Sequence, residues 1–511
     1  MNWWHDGVLY QIYPRSFADA SGDGVGDLAG IAEHLDYIAS LGVSGIWLSP
    51  IYRSPMADFG YDIADYREID PLFGDMAAFD HLLEETHSRG LKLVMDFVPN
   101  HTSDEHEWFK ESRSSRDNPK RDWYIWRDPG PDGEAPNNWP AAFGTKSAWT
   151  LDESTGQYYL HLFLPEQPDL NWQNPDVRAA MHDVMRFWFE KGVDGFRIDV
   201  IHMLFKNPTF EDNPPGNLLA HVPQSEELHE IVRGLRAVAD EYEDRMLVGE
   251  TFVWDIADIA KFYGNDGDEL HLAFNFPMAI AGYNATYMSK VVDKTLDALP
   301  FGARPCWVLS NHDLPRHGAR YGADAIPGAA LLLLGLPGTP FIYAGEEIGM
   351  TGMIPPPERQ VDPGGRDAAR TPFQWSPDPN AGFCPPTVEP WLPIAEGYET
   401  VNAEVEDTDP GSVLNLYRRA IAFRNGSDAL LSGDFEELRV EDRLWVFKRT
   451  GNEGSVIAAV NLSGERVEVA LEVTGDRAGR IVVCTSGGRE GEVIGEHLEL
   501  AGFEAAWVAV N

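Results

Sequence analysis

Two charged residues interrupt an otherwise apolar stretch of the sequence, "GFRIDV" at residues 195–200. In an extended strand, residues i and i+2 point to the same side, so Arg197 and Asp199 would lie together while Ile198 faces away. Such a pair is often only a structural ion pair at a strand end. It can take part in catalysis if the fold brings further acids, bases or hydrogen-bonding groups beside it.

Polar residues of the same kind follow other strand-like runs. They are Asp96, Asn100 and His101 in "DFVPNH", His202 after "GFRIDV", Glu250 in "LVGETF", His312 and Asp313 in "SNHD", and Tyr61 and Asp62 in "GYDI". Each residue alone is well explained as a loop cap or a solvated side chain. Four strands that end in this way predict one cluster with at least three carboxylates, two histidines and an arginine.

Such a cluster suits the cleavage of a glycosidic bond. Crowded carboxylates repel each other, so their pKa values move apart and one group can stay protonated. In glycoside hydrolysis one carboxylate attacks the sugar and a carboxylic acid protonates the leaving oxygen. A zinc site would need more closely spaced His and Cys residues, and a serine hydrolase would need a G-x-S-x-G motif, which the sequence lacks.

The elements that position these residues follow a regular pattern. Eight β-rich runs recur, with helical patterns between many of them: "GVLYQIYP", "VSGIWLSP", "LKLVMDFVPNH", "VDGFRIDV", "MLVGETF", "LHLAFNF", "CWVLSNHD" and "TPFIYAGEE". Strands that alternate with helices predict a parallel sheet, and eight such units predict a closed (β/α)8 TIM barrel. Active sites in this fold lie at the C-terminal ends of the strands, where the polar residues occur.

Two segments depart from this pattern. The polar, Trp-rich stretch 102–171 after the third strand is too long for a simple loop and predicts an inserted subdomain. From 433 to 511 the pattern changes to alternating strands, which predicts a C-terminal antiparallel β domain, similar to a β-sandwich. The barrel is then expected to comprise 1–101 and 172–432.

The motifs "DFVPNH", "GFRIDV", "LVGETF" and "SNHD" together resemble the four signature regions of the alpha-amylase family of glycoside hydrolases (family 13). "QPDLNW" at 167–172, "QIYPRSF" and "ARTPFQW" resemble its oligo-1,6-glucosidase and alpha-glucosidase branch. The resemblance covers nearly the whole chain. It implies an exo-acting, retaining alpha-glucosidase that forms a covalent glucosyl-enzyme and releases glucose from small oligosaccharides or glucosides of the maltose type, with some alpha-1,6 activity.

The resemblance also implies roles for individual residues. Asp199 is expected to be the nucleophile and Glu250 the acid/base catalyst, while Asp313 holds the glucose hydroxyls. Arg197 would keep Asp199 ionised and oriented. The residues expected to bind substrate are Tyr61, Asp62, His101, Phe143, Phe163, Gln167, Arg197, His312 and Arg370.

Among these residues, Asp62 is expected to bind the non-reducing glucose, and Arg370 to face Asp62 and close the pocket as a blind end. Tyr61 would offer an aromatic face to the sugar ring. For Phe143 and Phe163 a place in the core and a contact with sugar remain equal alternatives.

The loop "DASGDGVGD" at 19–27 could hold a metal ion. Its candidate oxygen ligands are Asp19, Ser21, Asp23, Asp27 and the backbone carbonyl of Val25. The spacing follows the first nine positions of an EF-hand loop, but Gly30 stands where that loop has a bidentate Glu. An acidic turn is the alternative. The resemblance favours a structural Ca²⁺ or Mg²⁺, although Ser21 stands where the family more often has Asn; no organic cofactor is expected.

The composition restricts the partners. A formal net charge of -42 argues against nucleic acid and anionic membranes as partners. The three cysteines, Cys306, Cys384 and Cys484, show no metal-type spacing, and the N-terminus has no signal-peptide pattern. We therefore expect a cytoplasmic protein, either a monomer or a homo-oligomer.

Several related activities remain as alternatives. An oligo-1,6-glucosidase, or a glucosyl-transferring or isomerising relative such as a trehalose or isomaltulose synthase, would share the catalytic residues. Val200, which follows Asp199, goes with alpha-1,6 cleavage or broad tolerance in the resembling enzymes. A non-catalytic amylase-fold subunit would need a membrane anchor and usually lacks the carboxylates, and "QPDLNW" speaks against an endo-acting amylase.

Overall fold

The computed structural model describes residues 2–144, 146–217, 219–471 and 479–510. Each of the eight predicted runs contains one strand of a single eight-stranded parallel sheet. The strands are β1 (Leu9–Ile12), β2 (Gly45–Leu48), β3 (Lys92–Phe97), β4 (Gly195–Ile198), β5 (Met246–Gly249), β6 (Leu272–Ala273), β7 (Cys306–Val308) and β8 (Thr339–Tyr343).

The sheet is a barrel. Its strand order is β6-β5-β4-β3-β2-β1-β8-β7, and a parallel bridge between Phe274 and Cys306 joins the two end strands. The interior is filled by apolar side chains from different strands, among them Trp47, Met246 and Phe341. The predicted TIM barrel is therefore confirmed, and its centre is a packed core rather than a channel.

Helices surround the sheet. They are α1 (Leu28–Glu33), α2 (Leu35–Ser40), α3 (Met76–Ser88), α4 (Pro175–Lys191), α5 (Glu226–Ala239), α6 (Ile256–Lys261), α7 (Ala285–Ala298), α8 (Ile326–Gly335) and α9 (Val413–Asn425). Shorter helices span Trp3–Asp6, Phe276–Ala279, His317–Tyr321, Ala403–Thr408 and Asp428–Ser432, and a small hairpin pairs Tyr52–Arg53 with Asp65–Ile69. Within the described ranges, no helix is both long and apolar enough to cross a bilayer.

The run "LAGIAEHLDYIASLG" at 28–42 has the pattern of one helix, but the structure has α1 and α2 there. The break is at His34, whose ring Nδ1 lies 2.8 Å from the Gly30 carbonyl oxygen. In a continuous helix that oxygen would accept the N–H of His34, which donates to Ile31 at 3.1 Å instead. The ring thus competes with the backbone for one acceptor.

The segment between β3 and α4 has its own small fold. It contains the helix Glu107–Ser114 and a three-stranded antiparallel sheet in the order Trp126–Arg127, Gln157–Leu160, Trp149–Asp152. The Leu170 N–H donates to the Asn100 carbonyl oxygen at 2.9 Å, so the segment is fastened to the C-terminal end of β3. These elements lie inside the predicted insertion, whose limits stay a prediction.

The C-terminal region is antiparallel β structure, as predicted. Its strands are β9 (Asp434–Glu441), β10 (Leu444–Thr450), β11 (Ser455–Asn461), β12 (Val467–Ala470), β13 (Gly479–Cys484), β14 (Val493–Ile494), β15 (His497–Leu500) and β16 (Ala505–Val510). The order β9-β10-β11-β16-β13-β14 forms one sheet, and β12 pairs with β15 in a second. Val446, Ile457 and Val508 of the first sheet pack with Val469 and Leu498 of the second. The end of the predicted strand "RVEVALEV", Glu472 and Val473, lies outside the described residues.

Candidate active site

Strand register brings the acidic residues of three strands to one mouth of the barrel. β3 pairs with β4 so that Asp96 is opposite Arg197, and β4 pairs with β5 so that Arg197 is opposite Val248. Asp199 and Glu250 follow one residue after the ends of β4 and β5. All these strands are parallel, so their C-terminal ends lie on the same face.

Arg197 is the centre of this arrangement. Its Nη1 donates to Asp199 Oδ1 at 2.6 Å and to Asp96 Oδ1 at 2.8 Å. Its Nη2 lies 2.8 Å from Glu250 Oε2. The pair seen in the sequence is therefore part of a larger cluster, in which one buried guanidinium binds three carboxylates.

Burial and crowding shift the protonation of the cluster. Burial raises the pKa of Asp199 well above its ordinary value, and the neighbouring Glu250 and Asp96 raise it further, against the opposing charge of Arg197. Burial also raises the pKa of Asp96 to about 6. Arg197 favours the ionised form of Asp199, as expected, but burial outweighs it. The cluster therefore tends to hold a proton near neutral pH, and that proton belongs to the group as a whole.

The backbone turns sharply after the predicted nucleophile. Val200 has φ 34° and ψ 44°, a left-handed conformation that β-branched residues rarely adopt. Its N–H donates to Glu250 Oε2 at 3.0 Å. A strained residue of this kind costs about 1–3 kcal/mol, and it persists only where the surrounding structure enforces it. The turn fixes Asp199 at the strand end and ties Glu250 to the same peptide.

Asp313 lies in the segment that follows β7. Its Oδ1 accepts from Arg370 Nη2 at 2.9 Å and from Arg366 Nη1 at 3.0 Å, and its Oδ2 lies 3.1 Å from His312 Nε2. Burial would raise the pKa of Asp313, but His312 and the two arginines lower it below its ordinary value. This carboxylate is therefore ionised. Its side chain is 26% exposed, so it is also open to a substrate.

Two predicted histidines are neutral hydrogen-bonding groups. The ring of His312 is stacked with those of Tyr61 and Tyr13, at centroid distances of 5.4 and 5.5 Å, and its Nε2 lies 2.6 Å from the Tyr61 hydroxyl. Burial lowers the pKa of His312 to about 3 and that of His101 to about 4. An amide nitrogen lies beside Nδ1 of each ring, Gln11 at 2.8 Å from His312 and Asn100 at 3.1 Å from His101. If each amide donates to Nδ1, the Nε2 of each ring carries the proton.

The structure does not bring Asp62 and Arg370 together as predicted. Asp62 is fully buried and accepts the N–H groups of Ala57 and Asp58, at 2.8 and 3.0 Å. Arg370 instead donates to the His312 carbonyl oxygen at 2.9 Å and to Asp313. The hydroxyl of the adjacent Tyr61 reaches Asp96 in the site, at 3.1 Å. The Asp62 carboxylate instead points back to the N–H groups of its own loop.

Asp58 and Arg366 form the acid-arginine pair on the Asp313 side of the site. Arg366 Nη2 donates to Asp58 Oδ1 at 2.6 Å, and the amide of Gln167 donates to Asp58 Oδ2 at 3.0 Å. Gln167 Nε2 also lies 3.1 Å from His101 Nε2. Neither Asp58 nor Arg366 is among the site residues predicted from the sequence. The signal for Arg366 was its spacing of four residues from Arg370 in "GGRDAAR".

The two phenylalanines left open by the sequence both border the site. The Arg366 guanidinium lies 4.9 Å from the ring centroid of Phe143. Phe163 contacts the rings of His101, at 5.2 Å, and of Phe143, at 5.7 Å. Both are half-buried, so they form part of the rim rather than of the deep core.

Exposed aromatic residues lie on the loop that follows Glu250. Phe252 and Trp254 are 36% and 50% exposed, with ring centroids 5.0 Å apart. Phe252 also packs on Phe276, at 4.7 Å. The loop directly after β5 therefore offers an apolar surface on the same face of the barrel as Glu250.

The predicted metal loop is closed by its own hydrogen bonds. Asp19 accepts the N–H groups of Gly22 and Gly24, at 2.6 and 2.7 Å, one on each oxygen. Asp27 accepts the N–H of Gly30 at 2.7 Å and caps α1.

These bonds bear on the ion expected at Asp19, Ser21, Asp23, Val25 and Asp27. Among the residues that the structure describes, no group of three or more His, Cys, Asp or Glu side chains is arranged to hold a metal ion. The carboxylates of Asp19 and Asp27 accept backbone N–H groups, and each keeps lone pairs that an ion could use. The ion stays a prediction from the sequence.

The chain is similar to known proteins over most of its length. The family model for the alpha-amylase catalytic domain matches residues 11–433. The chain is 42% identical to an oligo-1,6-glucosidase of Parageobacillus thermoglucosidasius, over 89% of this chain and 90% of that protein. It is 41% identical to a probable alpha-glucosidase of Rhizobium meliloti, over 91% and 90% of the two chains. A solved alpha-glucosyl transfer enzyme is 39% identical and superposes over 100% of both chains with a TM-score of 0.93.

Proposed function

The chain belongs to the alpha-amylase family of glycoside hydrolases, and on this premise we propose that it is an exo-acting, retaining alpha-glucosidase. Its substrates are short alpha-glucosides, maltose-type ones included, with some alpha-1,6 activity. The observation that carries the proposal is the cluster of Asp199 and Glu250 on one guanidinium, together with the ionised Asp313.

In the first step, Asp199 attacks the anomeric carbon and forms an ester bond to glucose, while the glycosidic C–O bond breaks. Arg197 and the Val200 N–H bind Oε2 of Glu250, which leaves Oε1 to deliver the proton to the departing oxygen. Likewise Arg197 holds Oδ1 of Asp199, so Oδ2 is the attacking oxygen. This step requires the proton on Oε1 of Glu250 and an ionised Asp199.

In the second step, Glu250 takes a proton from water, the water oxygen attacks the anomeric carbon, and the ester to Asp199 breaks. Retaining enzymes hold their two carboxyl groups about 5–5.5 Å apart, too close for a water between them. Attachment of both carboxylates to adjacent nitrogens of Arg197 supports this spacing. The product is then alpha-glucose.

The exo-acting mode is supported by the wall of ion pairs from Asp58 through Arg366 to Asp313. These groups are suited to the hydroxyls of a terminal glucose, and the ion pairs join the loop of Asp58 to the connection after β8 at that side of the site. The aromatic surface of Phe252 and Trp254 lies after Glu250 and would contact the leaving group.

Two alternatives have support from the relatives. Several are named oligo-1,6-glucosidase, and two of the solved structures are an alpha-glucosyl transfer enzyme and a trehalulose synthase mutant, the latter at 34% identity with a TM-score of 0.94. Val200 beside the leaving-group side fits alpha-1,6 substrates. One methyl group decides only about 1–3 kcal/mol between substrates, so Val200→Thr should shift the maltose-to-isomaltose ratio toward maltose without abolishing either activity.

The test is an NMR time course of glucose release from maltose, isomaltose, sucrose and trehalose. We expect alpha-glucose as the first product from maltose. Early beta-glucose would overturn the retaining mechanism, and cleavage of isomaltose with maltose untouched would replace the proposal by an oligo-1,6-glucosidase. Asp199→Asn, Glu250→Gln and Asp313→Asn should each lower turnover by orders of magnitude in a folded protein, and double variants should lose little more.

We further infer a cytoplasmic location and a small-molecule substrate. The support is that the three cysteines are unpaired and buried, as is usual in a reducing compartment.

A further inference from the structure

Arg15, in the motif "QIYPRSF" directly after β1, is a buried cation that the reaction steps above do not use. The residue is only 8% exposed, yet among the residues that the structure describes it forms no ion pair, and its Nε has no acceptor. A buried charge without a counter-ion is unfavourable. The remaining contacts of Arg15 should therefore explain what it does.

These contacts join one short loop to one tryptophan. Nη1 of Arg15 donates to the sulfur of Met56 at 3.6 Å. The guanidinium carbon lies 5.1 Å from the ring centroid of Phe59 and 4.9 Å from that of Trp391, and the two rings are 5.5 Å apart. Trp391 is fixed in turn, because its Nε1 donates to the Ser16 hydroxyl at 3.2 Å. Arg15 thus attaches the loop at 54–62 to the connection after β8.

The loop has an unusual backbone at the two residues that Arg15 contacts. Met56 has φ 67° and Phe59 has φ 49°, the left-handed region that residues with a Cβ rarely adopt. They are the two non-glycine residues of the loop in this region. Strained residues of this kind persist where the surrounding structure enforces them, and they cluster at functional sites. The contacts with Arg15 supply such a constraint at both positions.

The residue held between them is Asp58, which belongs to the active site. Its Oδ1 accepts from Arg366 at 2.6 Å, and its Oδ2 accepts from the Gln167 amide at 3.0 Å. The torsion angles on either side of Asp58 set the direction in which its side chain leaves the loop. A change from left-handed to ordinary angles at either neighbour would turn the carboxylate away from both partners.

We propose that Arg15 is a positioning residue for the reaction: by holding the two left-handed residues in place, it directs the Asp58 carboxylate into the active site. The inference rests on the proposed function for the substrates with which it is tested. Because Arg15 would act through Asp58, its loss should leave the reacting carboxylates Asp199 and Glu250 unaltered.

The test is the steady-state kinetics of Arg15→Met on maltose and on an aryl alpha-glucoside. Methionine keeps the apolar length of the side chain and removes the guanidinium. We expect kcat/KM to fall about ten-fold, mostly through a higher KM, because Asp58 belongs to the wall proposed to bind the terminal glucose. The pH profile of kcat should not change. Arg53→Met is the matched control: this exposed arginine, paired with Glu68 at 2.9 Å, should alter kcat/KM less than about two-fold.

Two combined variants separate positioning from a purely structural role. If Arg15 acts through Asp58, adding Arg15→Met to Asp58→Asn should cost no further activity, because the two changes are then not additive. Adding Met56→Asn to Arg15→Met should restore a large part of the lost kcat/KM, since asparagine tolerates the left-handed conformation without help.

If Arg15→Met fails to fold, Phe59→Leu and Phe59→Asn decide the test. Both variants lose the ring that contacts the guanidinium, but only leucine keeps the backbone strain. We therefore expect Phe59→Leu to lower kcat/KM more than Phe59→Asn does. An equal loss in the two variants would count against the role of strain and hence against the proposal.

Hydrogen exchange of the peptide 54–62 gives a readout that does not depend on the reaction. The Ala57 and Asp58 N–H groups, which donate to Asp62, should exchange faster in Arg15→Met than in the wild type. If the wild type hydrolyses no alpha-glucoside, the proposed function fails, while this exchange still tests Arg15. Wild-type kcat/KM in a folded Arg15→Met, a full further loss in the double variant with Asp58→Asn, or unchanged exchange would each overturn the proposal.

Discussion

At the scale of single residues, the site depends on charges that hold one another in place. Arg197 binds Asp96, Asp199 and Glu250 at once, which a lysine could not do with the same geometry, because only the guanidinium presents several donors in a fixed plane. Asp313 is held in the same way by Arg366 and Arg370. Removing either partner of such a buried pair leaves the other charge uncompensated.

The contrast between Asp58 and Asp62 gives a prediction at this scale. Asp58→Asn should lower kcat/KM on maltose by about ten- to a hundred-fold, because it weakens a charge-assisted bond to Arg366 worth about 1.5–3 kcal/mol. Its melting temperature should change little. Asp62→Asn should do the reverse, lowering the melting temperature by several degrees with a smaller effect on kcat/KM, because Asp62 accepts two backbone N–H groups of its own loop.

Steady-state kinetics and thermal unfolding of the two variants, measured side by side, check this assignment. A larger kinetic loss in Asp62→Asn than in Asp58→Asn would restore the original expectation that Asp62 faces the sugar.

At the scale of elements, loops supply as much of the site as strands do. The strands deliver Asp199, Glu250 and Asp313 at their C-terminal ends. The long connection after β8 delivers Arg366 and Arg370, which clamp Asp313. The strands set the position of each carboxylate, and the loops set its charge environment.

The connection after β8 also contains a buried acid. Glu406, in the helix Ala403–Thr408, accepts the N–H of Leu414 in the first turn of α9 at 2.9 Å. Burial, followed by the nearby Glu347, raises the pKa of Glu406 from 4.5 to about 7. A carboxyl group whose pKa is higher in the folded state binds its proton more tightly there, so its cost to stability is absent below pH 4.5, grows between 4.5 and about 7, and is constant above.

Glu406→Gln should therefore stabilise the protein at about pH 8, by up to about 3 kcal/mol, and progressively less toward about pH 5. Denaturant unfolding at the two pH values measures the difference. Glu404→Gln, at an exposed position of the same helix, is the control and should show no such pH dependence. An equal effect of Glu406→Gln at both pH values would contradict the assignment.

The loop at 19–27 gives a second prediction at this scale. If it binds Ca²⁺ or Mg²⁺, exhaustive chelation should lower the melting temperature, because a ligand bound only by the folded state stabilises it. Activity at low temperature should persist, since the role is structural. Asp23→Asn is the sharpest control: the amide oxygen can still accept the Val25 N–H, as Asp23 does at 2.9 Å, but the charge for the ion is lost.

Chelation should then have a smaller effect on the Asp23→Asn variant than on the wild type, because the amide oxygen can still bind the ion but carries no charge. A wild-type melting temperature that chelation leaves unchanged would show that the loop is held by its own hydrogen bonds alone.

At the scale of the whole molecule, the dominant quantity is the net charge of -42. Repulsion among surface carboxylates opposes the compact state, and salt screens it. Raising the salt from about 0.01 M to about 0.3 M shortens the Debye length from about 30 Å to well under 10 Å. We therefore expect the melting temperature to rise over this range at about pH 7.5, and to rise much less near the isoelectric point of about 4.6. An equal rise at both pH values would point to an ion-specific effect instead of screening.

The sequence by itself determined the barrel and the strand ends that carry Asp199, Glu250 and Asp313. Hydrophobic periodicity is local, and the order of eight strand-helix units leaves few topologies. Only the tertiary structure decided that Asp58 rather than Asp62 meets an arginine, because the direction of a side chain in a turn depends on backbone angles that the residue types do not fix. It also decided that Arg366 is the partner, across 308 positions of sequence. The three-way binding at Arg197 followed from strand register, which sets Asp96 beside it. Contacts of this kind exist only once the barrel has closed.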